Sequence, residues 1–101
     1  MSKKDLLNFA KLSRSDMEAI FALAAELKQK LKSGQAHPLL AHRCLAMIFE
    51  KPSLRTRVTF EAGMVQLGGH AVFLGPNEVQ LGVRETPADC ARSLSRWVDI
   101  I

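Results

Sequence analysis

The stretch Phe49-Glu50-Lys51-Pro52-Ser53-Leu54-Arg55-Thr56-Arg57 gathers two hydroxyls, a proline and two guanidinium groups between an apolar run and a second segment rich in apolar residues. Guanidinium forks match the oxygens of a phosphate, and the hydroxyls of Ser53 and Thr56 add short donors. A helix that starts here leaves several backbone N–H groups without intrahelical partners, and its dipole adds partial positive charge at the same end. Together these groups could hold a small phosphorylated anion. Two plainer readings stand beside that one. Ser53 could serve only as an N-cap, and Arg55 and Arg57 could belong to a solvated helix surface. Helical geometry sets residues two positions apart at roughly 200° to each other, so Arg55 and Arg57 do not share one face.

The flanking segments must position this turn. Cys44 to Phe49 is six apolar residues in a row, which suits a central strand of a parallel sheet. Val58 to Leu67 carries apolar residues on more than one side, as a helix packed on that sheet would. Gly68-Gly69 ends the helix, and His70-Ala71-Val72-Phe73-Leu74 reads as a second buried strand. Strand–helix–strand with a right-handed parallel crossover is the expected unit. Because Gly68-Gly69 closes a helix and does not follow a strand, it is no dinucleotide-binding turn.

Further out, Ser13 and Asp16 fit a capping box with Leu12 as a staple. Met17, Ile20, Phe21, Ala24, Leu27 and Leu31 recur at helical spacing behind them, lysines fill the last turn, and Gly34 supplies the stop. Gln35 to His42 is a loop in which His37 and His42 have no ligand partner, and His70 has none either, so no metal site is expected. Glu78 to Glu85 shows neither strand nor helix period and reads as a loop. Thr86-Pro87-Ala88-Asp89 opens a helix through a hydroxyl cap, proline at N1 and a carboxylate at N3. Cys90, Ala91, Leu94, Trp97, Val98 and Ile101 follow at helical spacing, and Arg92 and Arg96 are expected to pair with acidic neighbours or water.

Composition narrows the function classes. Apolar residues make up 48% and charged residues 24% of 101, an ordinary globular balance for one domain of modest core. The net charge of +4 permits either nucleic acid or a small phosphorylated substrate. Five Phe, one Trp and no Tyr make a poor base-stacking platform, which weighs against nucleic acid. No apolar run reaches about 18 residues, so no membrane span is expected. Asp5 and Asn8 interrupt the segment after Lys3-Lys4, so no signal peptide is expected. Cys44 and Cys90 fall at apolar positions and read as buried free thiols of a reducing, cytoplasmic compartment.

The Ser53-Leu54-Arg55-Thr56-Arg57 turn resembles the S-x-R-T-R carbamoyl-phosphate signature of the aspartate and ornithine carbamoyltransferases. The preceding Phe49-Glu50-Lys51 resembles the ornithine branch, as do the block from Leu74 to Gly82 and the block from Asp89 to Arg96. The similarity runs from about Leu6 to Ile101, with the blocks in the family's order. It implies an α/β, three-layer fold with a parallel β-sheet flanked by helices, and residues 1–101 as an incomplete N-terminal carbamoyl-phosphate-binding domain. It implies transfer of the carbamoyl group of carbamoyl phosphate to the side-chain amine of L-ornithine, giving L-citrulline and phosphate, with no cofactor. Aspartate, putrescine and N-acetylornithine remain alternative acceptors, and a non-catalytic basic anion- or nucleic-acid-binding module is the alternative of another class.

Residue by residue, the resemblance assigns Ser53, the Leu54 N–H, Arg55 and Thr56 to the phosphate. Arg55 is also the catalytic residue, near the carbonyl oxygen and leaving group. Gln80 matches a glutamine that reaches carbamoyl phosphate across the interface of a homotrimer. Arg57 is assigned to local structure through an ion pair that fixes the turn. Two positions depart from the family pattern: Leu54 stands where threonine is common, and Gly82-Val83-Arg84 stands where Gly-Arg-Gly is common. Arg84 is therefore left unassigned. The apolar run Val98-Asp99-Ile100-Ile101 carries no cap or polar tail, so the chain reads as a fragment whose ornithine-binding half lies further on. Alone, it is expected to be inactive.

Overall fold

The computed structural model describes residues 5–80, 82–83 and 85–101, so Arg84 and Leu81 lie outside the described residues. The chain divides into two compact units, Met1–Ala36 and His37–Ile101.

The first unit carries helix α1, Arg14–Lys32. Its capping box forms as read. The Asp16 N–H donates to Ser13 Oγ at 3.0 Å, and the Ser13 N–H donates to Asp16 Oδ2 at 3.1 Å. At the other end, Gly34 N–H donates to the Leu31 carbonyl at 3.2 Å and Gln35 N–H to the Lys30 carbonyl at 2.9 Å. These are the two closing bonds of a Schellman motif.

The second unit runs β1 (Cys44–Ile48), α2 (Leu54–Gln66), β2 (His70–Leu74), α3 (Pro76–Val79) and α4 (Pro87–Trp97). It is an α/β unit with a parallel sheet. Strands β1 and β2 pair in register from Cys44 with His70 to Ile48 with Leu74. Leu45, Met47 and Phe49 alternate onto the face that α2 covers, where Leu45 and Met47 join Met64 in the core beside Ala71 and Phe73. Ala46, on the opposite face, is 1% exposed.

Three expectations change in three dimensions. Strand β2 contains no buried residue, and His70 and Val72 are exposed. Among the described residues β2 pairs only with β1, so its outer edge stays uncovered. The helical spacing through Ile101 also fails. Helix α4 stops at Trp97, Val98 is extended, and Ile100 forms a parallel bridge to Leu45 on the side of β1 away from β2. Lastly, the loop expected after Leu74 begins with the single turn α3, which buries Val79. Both cysteines are free, but only Cys90 is buried as expected; Cys44, at the start of β1, is half-buried.

Asp99 is what ends the last helix. Its carboxylate accepts from the Cys44 N–H at 2.9 Å and from Arg43 at 3.2 Å, and its own N–H donates to the Cys44 carbonyl. The backbone hydrogen bond from Cys44, then Arg43, holds the carboxyl below its ordinary value of 3.8. A folded-state carboxyl that ionises more readily than the unfolded one contributes stability in full above that ordinary value. The contribution is lost as pH falls through the depressed value. Chemical denaturation across the acid range should therefore show the gap between the wild type and Asp99→Asn narrowing as pH drops below 3.8. A gap that stays constant would leave Asp99 without this role.

Candidate functional site

In α/β sheets, ligands bind beyond the carboxyl ends of the strands. Here both strands end on the same side. Strand β1 feeds the turn into α2, and β2 feeds Gly75 and α3.

Ser53 occupies the N-cap position of α2 in extended conformation, but its side chain makes no cap hydrogen bond. The other two N-cap hydroxyls do. Ser13 accepts from Asp16 N–H at 3.0 Å and Thr86 accepts from Asp89 N–H at 3.1 Å. The equivalent bond at α2 would join Ser53 Oγ to the Thr56 N–H, and it is missing. The first hydrogen bond of α2 runs from the Arg57 N–H to the Ser53 carbonyl at 3.1 Å. Among the described residues, no protein group accepts from the N–H of Leu54, Arg55 or Thr56. Helices α1 and α4 each carry an aspartate in the first turn, whereas α2 carries no acidic residue there. The positive end of α2 is left open by its own chain.

The two arginines divide as their helical angle requires. Arg57 Nε lies 3.6 Å from Glu61 Oε2, and its guanidinium carbon sits 3.7 Å over the centre of the Phe73 ring. Arg55 makes no ion pair or hydrogen bond among the described residues. One cation is thus tied down, and the other is exposed in the first turn of α2, the turn that carries the open amides. Such a site can bind a small dianion through main-chain donors, two hydroxyls and one guanidinium.

Gln80 stands apart from this group. It ends α3 in the left-handed conformation, with φ 46°, and its amide nitrogen lies at 3.5 Å from the Asn77 carbonyl, the limit of a hydrogen bond. It lines an open cleft of about 380 Å³ with Phe49, Glu50, Gly75, Val79 and Val83. Ser53, Leu54, Arg55 and Thr56 do not line that cleft. Ser53 to Thr56 are neighbours because they are consecutive in the chain, and the fold places Gln80 at the adjoining strand ends.

Sequence reasoning missed Phe73. Its ring is edge-on to Phe49, with centroids 5.5 Å apart and an interplanar angle of 88°. The only local signal was an apolar residue in a strand, and nothing in that marks an arginine partner. Among the described residues, no cluster of His, Cys, Asp and Glu could hold a metal ion. No helix among them is long and apolar enough to cross a membrane.

The family model for the aspartate/ornithine carbamoyltransferase, carbamoyl-P binding domain matches residues 4–101. The chain is 53% identical over 98 residues to an ornithine carbamoyltransferase of Anoxybacillus flavithermus, a match covering 97% of this chain and 31% of the relative. It is likewise 53% identical over 98 residues to the ornithine carbamoyltransferase of Bacillus subtilis, covering 97% and 30%. The solved ornithine carbamoyltransferase from Pyrococcus furiosus superposes with a TM-score of 0.91 at 47% identity, over 95% of this chain and 31% of that one. The chain spans about a third of the length of the curated relatives it matches.

Proposed function

The chain belongs to the aspartate/ornithine carbamoyltransferase carbamoyl-P binding domain family, and from that membership we propose that it supplies the carbamoyl-phosphate seat of an ornithine carbamoyltransferase. The observation that carries the proposal is the unconsumed amide cluster at Leu54, Arg55 and Thr56, beside a Ser53 hydroxyl that caps nothing.

The chemistry follows from what the seat offers. The side-chain amine of L-ornithine attacks the carbonyl carbon of carbamoyl phosphate. A tetrahedral oxyanion forms from the neutral amine, the C–O bond to phosphate breaks, one amine proton leaves with the phosphate, and the product is L-citrulline. Charge grows on the leaving phosphate and the carbonyl oxygen, so fixed donors aimed at both lower the barrier. Ser53, the three amides and Thr56 hold the phosphate. Arg55 spans phosphate and carbonyl oxygen and is the catalytic residue of this half. Gln80 is the contact supplied to a neighbouring subunit of a homotrimer. Helix α2 supports that assembly by leaving Leu54, Val58 and Val65 exposed on its surface. The free thiols Cys44 and Cys90 suit a cytoplasmic setting.

Titration of the chain with carbamoyl phosphate, followed through backbone amide resonances, tests the seat. The signals of Leu54, Arg55 and Thr56 should move together and saturate. No displacement at millimolar ligand would sink the proposal. Ornithine has no seat of its own among the assigned residues, so the chain alone should produce no citrulline in a colorimetric assay; measurable turnover would contradict this division of labour.

A further inference from the structure

We propose that Phe73 is a positioning residue for the anion seat, clamping both ends of the turn that carries it; this rests on the reading of Ser53 to Thr56 as that seat. Phe49 is the last residue before the turn and Arg57 the first after the seat. Both meet the same ring. Phe49 packs edge-on against Phe73 at 5.5 Å, and the Arg57 guanidinium lies over its face at 3.7 Å. The Arg57 N–H also closes the helix onto the Ser53 carbonyl, so fixing Arg57 fixes where α2 begins. A turn with both ends anchored to one rigid body samples fewer arrangements, and its open amides lose less freedom when an anion arrives.

The ring does two further things. By holding the Arg57 guanidinium against its face, with Glu61 at 3.6 Å, it fixes the first residue after the seat. It also abuts the start of α3. A Cβ built on Gly75 would come within 3.2 Å of the Phe73 ring, so the segment leading to Gln80 rests on the same ring. One side chain on β2 thereby ties together β1, the helix entry and the strand exit.

The test is a double-mutant cycle on carbamoyl phosphate affinity, using the full chain and the variants Phe73→Leu, Arg57→Gln, Arg57→Lys and the Phe73→Leu/Arg57→Gln pair. Phe73→Leu changes no charge, so it separates the clamp from simple electrostatics. Each of Phe73→Leu and Arg57→Gln should weaken binding roughly five-fold, the size of ordering about one more side chain's worth of freedom when the anion binds. Arg57→Lys should restore most of the affinity. The double variant should bind about as weakly as either single one, because both remove the same contact. Wild-type affinity in Phe73→Leu, or losses that multiply in the double variant, would overturn the clamp. Should Phe73→Leu fail to fold, Arg57→Gln on the exposed helix surface decides at 0.3 M salt, about where charge effects beyond 6 Å are screened. A loss that persists there and is rescued by lysine supports the clamp, and a loss that vanishes overturns it. Absence of carbamoyl phosphate binding by the wild-type chain is a different result, which removes the seat itself.

Discussion

Replacing Arg55 by glutamine is expected to weaken carbamoyl phosphate binding by about 10- to 100-fold, the range of a hydrogen bond to a charged group. Among the described residues, Arg55, in the first turn of α2, is engaged by no carboxylate. The first turn of α2 holds no acidic residue, so nothing there offsets its charge. Glutamine keeps some length and an amide NH2 but loses the charge and the guanidinium fork, which leaves the main-chain amides and hydroxyls as the principal ligands of the dianion. Calorimetric titration at low salt measures the effect, and raising the salt should shrink it because the side chain is exposed. Arg92→Gln is the control. That side chain pairs with Asp89 at 2.8 Å on α4 and should leave affinity unchanged. Equal affinity in Arg55→Gln and wild type would take Arg55 out of the site.

Gly69→Ala is expected to cost about 1–3 kcal/mol, the usual penalty for overpacking. For a domain of this size that is a large share of the whole stability. An added Cβ would meet the Arg43 carbonyl oxygen at 2.8 Å, the Leu40 carbonyl oxygen at 2.9 Å and Met64 Cε at 2.8 Å. Methionine can swing away, but the two carbonyls belong to the backbone that leads into β1. Gly69 itself donates to the Met64 carbonyl at 2.8 Å, so it cannot shift without loosening the end of α2. Its neighbour Gly68 sits at φ +86°, where a side chain is strained regardless of space. Thermal or urea unfolding would read the change. A melting curve matching the wild type would show that the loop before β1 yields freely.

The legible features were those written within a few consecutive residues. The caps at Ser13 and Thr86 formed as read, because each depends on a hydroxyl and an amide three positions apart. The apolar run from Cys44 gave a buried strand with its expected partner, since β1 is short and flanked by helix and turn signals. The same local logic failed at Val98 and Ile101. Their spacing suits a helix, but Asp99 binds Arg43 and the Cys44 amide, more than fifty residues away in sequence. That long-range carboxylate pulls the segment into an extended bridge against Leu45.

Ser53 illustrates the remaining division. From its type and place, an N-cap and a phosphate ligand were equally good readings. Only in three dimensions does its hydroxyl stand unengaged while those of Ser13 and Thr86 are occupied. Local pattern was enough for the family, for the order of the strands and of the helices other than the single turn α3, and for the donor types at the helix entry. Three-dimensional packing was needed to show which donors stay open, which arginine Phe73 holds, and that β2 pairs only with β1 among the described residues. Each of these depends on strand register and on pairings between distant segments, which no short window of residues encodes.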